Sequence, residues 1–392
     1  MADHIPARLD FMRKRLEDVE KAGLRRSVRE FRPCMGARIL HEGKELLNFC
    51  SNDYLGLNSN PVLQERSLEF MKAYGSGSGA SRLVCGDKGY FAGIESKIAS
   101  FKGKDASIII GSGFQANISV IPAICTRESL IVMDRLCHSS LVHGAVLSRA
   151  EIIRFRHLDL SHLAEVLEKA ALKKYDRVLV VTESVFSMDG DITPIGGICE
   201  IAHKLGAMIM VDEAHATGIM GEKGSGLCKN HDVDIVMGTF SKALGSYGSY
   251  VAGSQLLKEY LMNFCTGFIF STALPPGVLG AVDAALDIIP GMDSDRKKVA
   301  DFSQRIRLEF SKMGYDCGAS STQIIPVMVG QAVDATRLSD FLYANGIFAS
   351  AIRPPTVPRG ESRLRFTVTA SHTEADIDHL CDAMKRWNRF GV

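Results

Sequence analysis

The sequence predicts an α/β fold: a large domain on a mostly parallel central sheet, and a smaller C-terminal α+β domain. Three observations carry this. From residue 87 to 253, short apolar runs alternate with helical patterns, as right-handed βαβ crossovers require. Several runs, such as Ser107-Ile-Ile-Ile110 and Gly206-Ala-Met-Ile-Met-Val211, have the character of strands buried on both faces. Beyond Pro290-Gly291 the pattern changes, and Arg363-Leu-Arg-Phe-Thr-Val-Thr369 alternates like a half-buried antiparallel strand. The expected division is 1–50 as an N-terminal arm and helix, 51–289 as the large domain and 290–392 as the small one.

In chain order, residues 1–24 read as an amphipathic helix, with Ile5, Leu9, Met12, Leu16 and Val19 on one face for docking. Ile39–Phe49 reads as a hairpin turning at Glu42-Gly43. The glycine-rich segment Tyr74–Gly86 lets backbone come close to a ligand, or is plain turn structure. Strands are expected at 106–110, 129–133, 151–155, 177–182, 206–211, 234–237 and 247–253. Helices are expected near 90–101, up to about 125, and over 160–173, 194–205 and 277–289. The small domain should hold helices 295–312 and 334–344 and strands 323–329 and 346–351. Thr373 is placed to cap a last helix, with Glu374 in its first turn.

The 392 residues are 46% apolar and 23% charged, ordinary for a globular protein of about two domains. A net charge of +1 argues against broad attraction to nucleic acid or membrane surfaces. Ten cysteines without a C-x-x-C pair or metal spacing suggest a reducing, cytoplasmic setting and no metal. Residues 1–21 lack the apolar core of a secretory signal. The uncharged runs 106–126 and 260–282 are interrupted by Gly, Pro and polar residues, so neither reads as a membrane span.

The chemistry concentrates between Val211 and Leu244. Asp212 closes one buried strand, and Lys242 lies just past the next. Loops at the carboxyl ends of parallel strands converge on one crevice, so Asp212, His215, Thr239, Ser241 and Lys242 are expected to face one pocket. An acid and a lysine so placed suit pyridoxal 5′-phosphate (PLP), which is held by a lysine and paired through its ring nitrogen with a carboxylate. Taken singly, the acid would be a helix cap and the lysine a surface charge. Asp212-Glu-Ala-His215 also looks like the acidic motif of helicases, but no G-K-[ST] phosphate loop accompanies it. Gly111-Ser-Gly-Phe-Gln-Ala116 fits the dinucleotide fingerprint, with Asp134 near the expected interval, which keeps an NAD-dependent enzyme as an alternative. Whichever cofactor binds, glycines at a helix start make an anion site.

Taken together, Ser51-Asn-Asp-Tyr-Leu-Gly-Leu57, Gly75-Ser-Gly-Ser-Gly-Ala-Ser-Arg82, Glu183-Ser-Val-Phe-Ser-Met-Asp-Gly190, Val211-Asp-Glu-Ala-His215 and Thr239-Phe-Ser-Lys242 resemble the α-oxoamine synthases. These are fold-type-I PLP-dependent transferases that condense an amino acid with an acyl thioester. The resemblance runs from about Arg25 to His372. Ala351-Ile-Arg-Pro-Pro-Thr-Val-Pro358 with Arg363-Leu-Arg365 looks most like members that join L-alanine to a pimeloyl thioester, on coenzyme A or a carrier protein, in biotin biosynthesis. Siblings use glycine or serine.

The resemblance implies a role for each matching residue. Lys242 would carry PLP and take the alanine Cα proton, and Asp212 would pair with the ring nitrogen. His215 would meet the phenolic oxygen, Ser187 would lie against the ring and His138 would stack on it. Gly113, Phe114 and Thr239 would bind the phosphate, with Thr272 contributed across a homodimer interface. Arg353 would take the alanine carboxylate, with Thr356 on the substrate side and Arg25 near the acyl chain. Ser139, Ala216 and Cys85 stand where the family commonly has Ala, Gly or Ser, and Ser.

Overall fold

The computed structural model describes residues 7–389, and the chain divides into two compact units. Residues 1–51, 302–320 and 324–392 make one, and residues 52–301 with 321–323 make the other.

The first unit begins with a single turn and α1 (Asp10–Lys21). This helix is shorter than expected, and Leu9, Met12, Leu16 and Val19 are 36–50% exposed on this chain. Ile5 lies outside the described residues. Three short strands follow: β1 (Arg32–Pro33), β2 (Arg38–His41) and β3 (Lys44–Asn48). Glu42 and Gly43 join β2 to β3 with φ of 48° and 78°. Two successive left-handed residues make the turn whose twist matches a two-residue hairpin.

The larger unit opens with α2 (Pro61–Tyr74) and α3 (Phe91–Lys102). Then strands and helices alternate: β4 (Ala106–Ile110), α4 (Gly113–Ile124), β5 (Leu130–Asp134), α5 (Ser139–Ser148) and β6 (Glu151–Phe155). The alternation continues through α6 (Leu160–Ala171), β7 (Val178–Glu183), α7 (Ile195–Lys204), β8 (Met208–Asp212), β9 (Ile235–Thr239) and β10 (Ser249–Gly253). Helices α8 (Gln255–Phe264), α9 (Thr266–Ile269) and α10 (Pro276–Ile288) follow, and α11 (Asp293–Lys312) runs on into the other unit.

The seven-stranded sheet has the order β4-β10-β9-β8-β7-β5-β6. Every pairing from β6 to β9 is parallel, and β10 alone runs against its neighbours β9 and β4. The connection from β9 to β10 is a loop over 240–248 rather than a crossover helix, and without a crossover the chain returns antiparallel. The sheet is therefore mostly parallel, as the sequence predicts. Its inner parallel strands β5, β7, β8 and β9 are buried and largely apolar along their length because helices cover them, whereas the edge strand β6 exposes Glu151 and Arg154. Asp134, Glu183, Asp212 and Thr239 all end strands at the same edge.

The first unit resumes with β11 (Ile324–Gly330), α12 (Ala332–Ala344), β12 (Ile347–Phe348), β13 (Ser350–Ile352), β14 (Ser362–Thr367) and α13 (Glu374–Arg389). Two expectations are corrected here. The strand expected over 346–351 is two: β12 pairs parallel with β3, while β13 pairs with β14 in a second sheet. The strand expected to be half-buried, β14, is buried throughout. It lies between β11 and β13, and Arg363 stays inside by donating through Nε to the Glu361 carbonyl (3.1 Å). The cap of α13 forms as expected: the Asp376 N–H donates to Thr373 Oγ1 (3.3 Å), and the Thr373 N–H to Asp376 Oδ2 (2.8 Å).

One buried ion pair underlies the larger unit. Lys102 on α3 meets Glu213, just beyond β8, and both side chains are fully buried. Lys102 Nζ also donates to the Ser225 carbonyl (2.5 Å), and Glu213 Oε1 accepts from the Leu227 and Cys228 N–H groups. Removing one partner strands the other charge. Lys102→Met is therefore expected to cost about 3–5 kcal/mol in urea unfolding, and Lys102→Met/Glu213→Leu less than that. An unchanged midpoint for the single variant would show that the pair does not hold this unit.

Candidate active site

The strand ends enclose a cavity of about 250 Å³ in the larger unit. Its walls include Gly113, Phe114, Asn117, His138, Ser140, Glu183, Asp212, His215, Thr239, Ser241 and Lys242. The parallel register sets Glu183 of β7 beside Asp212 of β8. Asp212 Oδ2 accepts from Asn117 Nδ2 (3.0 Å), and Oδ1 accepts from the Ala214 N–H (2.9 Å).

The start of α4 closes one end. Ser112 caps it, its hydroxyl accepting from the Gln115 N–H (3.2 Å) and its carbonyl from the Ala116 N–H (2.8 Å). Gly113 and Phe114 precede these, in the first turn, where N–H groups lack helical acceptors and the helix dipole favours an anion. Asn117 lies one turn further on, about 6 Å along the axis. The cavity thus has an anion-binding end at the start of α4 and a carboxylate, Asp212, tied to the next turn of the same helix. Thr239 Oγ1 donates to the Gly248 carbonyl (2.8 Å) and sits 2.7 Å from Ser241 Oγ.

Lys242 Nζ lies 2.8 Å from His215 Nε2, and His215 Nδ1 lies 2.6 Å from the Tyr54 hydroxyl. His138 caps α5. Its Nδ1 accepts from the Ser140 N–H (3.2 Å) and lies 2.7 Å from Ser140 Oγ, which accepts from Asn117 Nδ2 (2.9 Å). With Nδ1 accepting, the ring proton sits on Nε2. Burial pushes the His138 pKa below its usual value, opposed by Asp212 and aided by Lys242. Burial, and then the Asp212 charge, raise the Glu183 carboxyl well above the usual carboxylate range. Its Oε1 accepts from the His138 N–H (2.5 Å).

Residues 44–384 match the family described as aminotransferase class I and II. The chain belongs to this family. An 8-amino-7-oxononanoate synthase of Gluconacetobacter diazotrophicus is 43% identical over 96% of each chain. Among solved structures, a serine palmitoyltransferase variant of S. paucimobilis with a bound PLP–myriocin aldimine is 26% identical over 98% of each chain, with a TM-score of 0.90. An 8-amino-7-oxononanoate synthase of Francisella tularensis is 26% identical over 88% of this chain and 98% of that one, with a TM-score of 0.76. The fold is that of the fold-type-I PLP-dependent transferases.

Within this family's fold, the dinucleotide fingerprint loses its context. The strand before Gly111, β4, is an edge strand paired only with antiparallel β10. It is not the first strand of a parallel βαβ unit, which the NAD reading needs.

Of the residues singled out in the sequence, Gly113, Phe114, His138, Asp212, His215, Thr239, Ser241 and Lys242 line the one cavity. Ser187 is buried in the loop after β7 and is not among the wall residues. Thr272 bridges to Ser81 and lines a separate small crevice. Arg25, Arg353 and Thr356 line a cavity of about 490 Å³ in the other unit, with Arg26, Arg29 and Asp340 also in its wall. There Arg353 Nη1 donates to the Gly23 carbonyl (2.7 Å), and Arg26 Nη2 to Thr356 Oγ1 (3.4 Å).

Asn117, Ser140, Glu183 and Tyr54 had no assigned role in the sequence. The spacing signals two of them: Asn117 stands four residues after Gly113 on a helix, and Glu183 ends the strand before Asp212's. Tyr54 and Ser140 meet their partners only through tertiary structure.

Because its folded pKa is raised, Glu183 binds a proton that the unfolded chain releases above about pH 4.3. Its contribution is therefore fully present at lower pH and is lost as pH rises. Glu183→Gln keeps an acceptor for the His138 N–H, so it should flatten the fall of melting temperature between pH 5 and pH 8. An equal fall in both proteins would show that Glu183 is ionised.

Proposed function

We propose that this chain is a PLP-dependent 8-amino-7-oxononanoate synthase, joining L-alanine to a pimeloyl thioester with release of carbon dioxide and the thiol. The observation that carries the reading is the cavity in which the Lys242 amine, the Asp212 carboxylate and the α4 N-terminus converge. The 43% identical relative of that name supports the choice of substrates.

The residues present fit the cofactor by their chemistry. We assign the phosphate to the N–H groups of Gly113 and Phe114, supported by the hydroxyl pair Thr239 and Ser241, and to Thr272 of a second copy in a homodimer. Asp212, held by Asn117 and the Ala214 N–H, would keep a proton on the ring nitrogen. His215, braced by Tyr54, would serve the phenolic oxygen, His138 would cover the ring face, and Ser187 would reach it from the loop after β7. When bound, PLP supplies an electron sink for the carbanion at the alanine Cα.

Lys242 would hold the cofactor through its amine, and the same amine would move the proton at that Cα. The His215 imidazole, 2.8 Å from Lys242 Nζ, is placed to hold or release a proton at that amine. Arg353 takes the alanine carboxylate through a planar fork, with Thr356 beside it, and Arg25 serves the acyl chain. The setting we infer is cytoplasmic. Among the described residues, no helix is long and apolar enough to cross a membrane.

The test is the visible absorption of the purified protein with PLP. A yellow band that shifts with L-alanine, but not with glycine or L-serine, is expected, and pimeloyl thioester should then be consumed. A shift with serine or glycine alone would move the assignment to a sibling synthase, and no band at all would remove the cofactor. General acid–base placement contributes about 10²–10⁴-fold, and the covalent anchor adds to it. Lys242→Ala should therefore show no measurable turnover, and a tenth of the wild-type rate would refute its role.

A further inference from the structure

One buried cluster of titratable groups lies outside the walls of the cavity. His157, just after β6, stands between two carboxylates: its Nδ1 is 2.9 Å from Asp134 Oδ1, and its Nε2 is 2.8 Å from Asp191 Oδ2. A carboxylate offers only lone pairs, so both ring nitrogens donate when both hydrogen bonds form. The two acids belong to different loops. Asp134 ends β5 and organises the turn that leads to His138, accepting from the Leu136 N–H (2.8 Å) and the Leu158 N–H (2.9 Å). Asp191 closes the loop after β7 that contains Ser187, its carbonyl accepting from the Phe186 N–H (3.2 Å). The Phe186 ring meets His157 edge to face, 4.5 Å between centroids.

The backbone is bent to reach this position. Leu158 has a φ of 54°, a left-handed conformation that L-residues keep only where the surroundings hold them in it. The hold here is its N–H donated to Asp134.

We propose that His157 is a positioning residue, a doubly donating imidazole that clasps the His138 turn to the Ser187 loop and so fixes the face that His138 presents to the cavity. The proposal rests on the assignment of that cavity to catalysis. The charged groups around the ring are Asp134 from β5, Asp191 from the loop after β7, and Arg156 and Asp159 of its own segment, which pair with each other at 2.8 Å. Burial works against the ring's charge, but the two carboxylates outweigh it and raise its pKa to about 9. The clasp's contribution to stability is therefore fully present below about pH 6.5 and is lost as pH rises through about 9, where the folded ring gives up its second proton.

The experiment pairs histidine ring ¹⁵N NMR of the wild-type protein with kinetics of His157→Gln. One ring, absent from the H157Q spectrum, should keep both nitrogens protonated at pH 8 and titrate near 9. H157Q should still bind PLP at Lys242 with the same absorption band. A displacement of a reacting group by about 1 Å costs on the order of 10²-fold, so kcat should fall by about 10- to 100-fold while KM for L-alanine changes by less than about threefold. A ring that titrates near 6.5, or a kcat within twofold of wild type, would overturn the proposal. If H157Q does not fold, Asp191→Asn takes its place: it removes one charge, should lower the ring's titration point, and should lower kcat without moving KM. A wild-type protein without any cofactor band would refute the catalytic reading instead, and the NMR titration would still decide the clasp.

Discussion

Two carboxyl groups lie side by side at the ends of β7 and β8, both nearly buried, and the site depends on how that arrangement is tolerated. Like charges so close in a poorly solvated place cannot both form cheaply. The chain divides the roles. Burial and the Asp212 charge push the Glu183 carboxyl up, and its Oε1 accepts the His138 N–H, while Asp212 receives the Asn117 amide and the Ala214 N–H. The parallel register that sets the strand ends level is what forces this division.

The same amide carries the effect across the cavity. Asn117 gives one proton to Asp212 and the other to Ser140, and Ser140 addresses His138 Nδ1. The acid and the imidazole are thus set by one side chain on α4, the helix whose start forms the anion-binding end. Anion-binding end, carboxylate and imidazole are all referred to a single rigid element. A constellation held this way keeps its geometry better than one built on separate loops.

The larger sheet was legible because buried parallel strands are apolar along their length and are separated by periodic helices, and these signals are local. Most site positions were legible for a related reason: in a parallel sheet the residue after each apolar run falls at the same edge. What the sequence hid depends on partners distant in the chain. The polar positions of β14 look solvent-facing in a period-two pattern, yet both faces of this central strand are buried. The apolar run 346–351 gives no sign that it changes sheets midway. His157 is a lone histidine in the sequence, and its two acids lie 23 and 34 residues away.

The tetrad Asp212-Glu-Ala-His215 shows why a short motif needs its surroundings. Successive residues at a strand end point to opposite faces. Asp212 faces the cavity, and Glu213 turns away to the buried amine of Lys102 and the N–H groups of Leu227 and Cys228. Its carbonyl accepts from the Ala216 and Thr217 N–H groups, a turn that brings His215 back toward Lys242 and Tyr54. In a helicase the acids would serve a nucleotide's metal ion. Here one acid serves the cavity, its neighbour fixes the backbone, and the histidine returns to the lysine. The spelling is shared, but the candidate anion site lies elsewhere, at the start of α4, and that separation of anion site from acid suits the proposed ring-shaped cofactor.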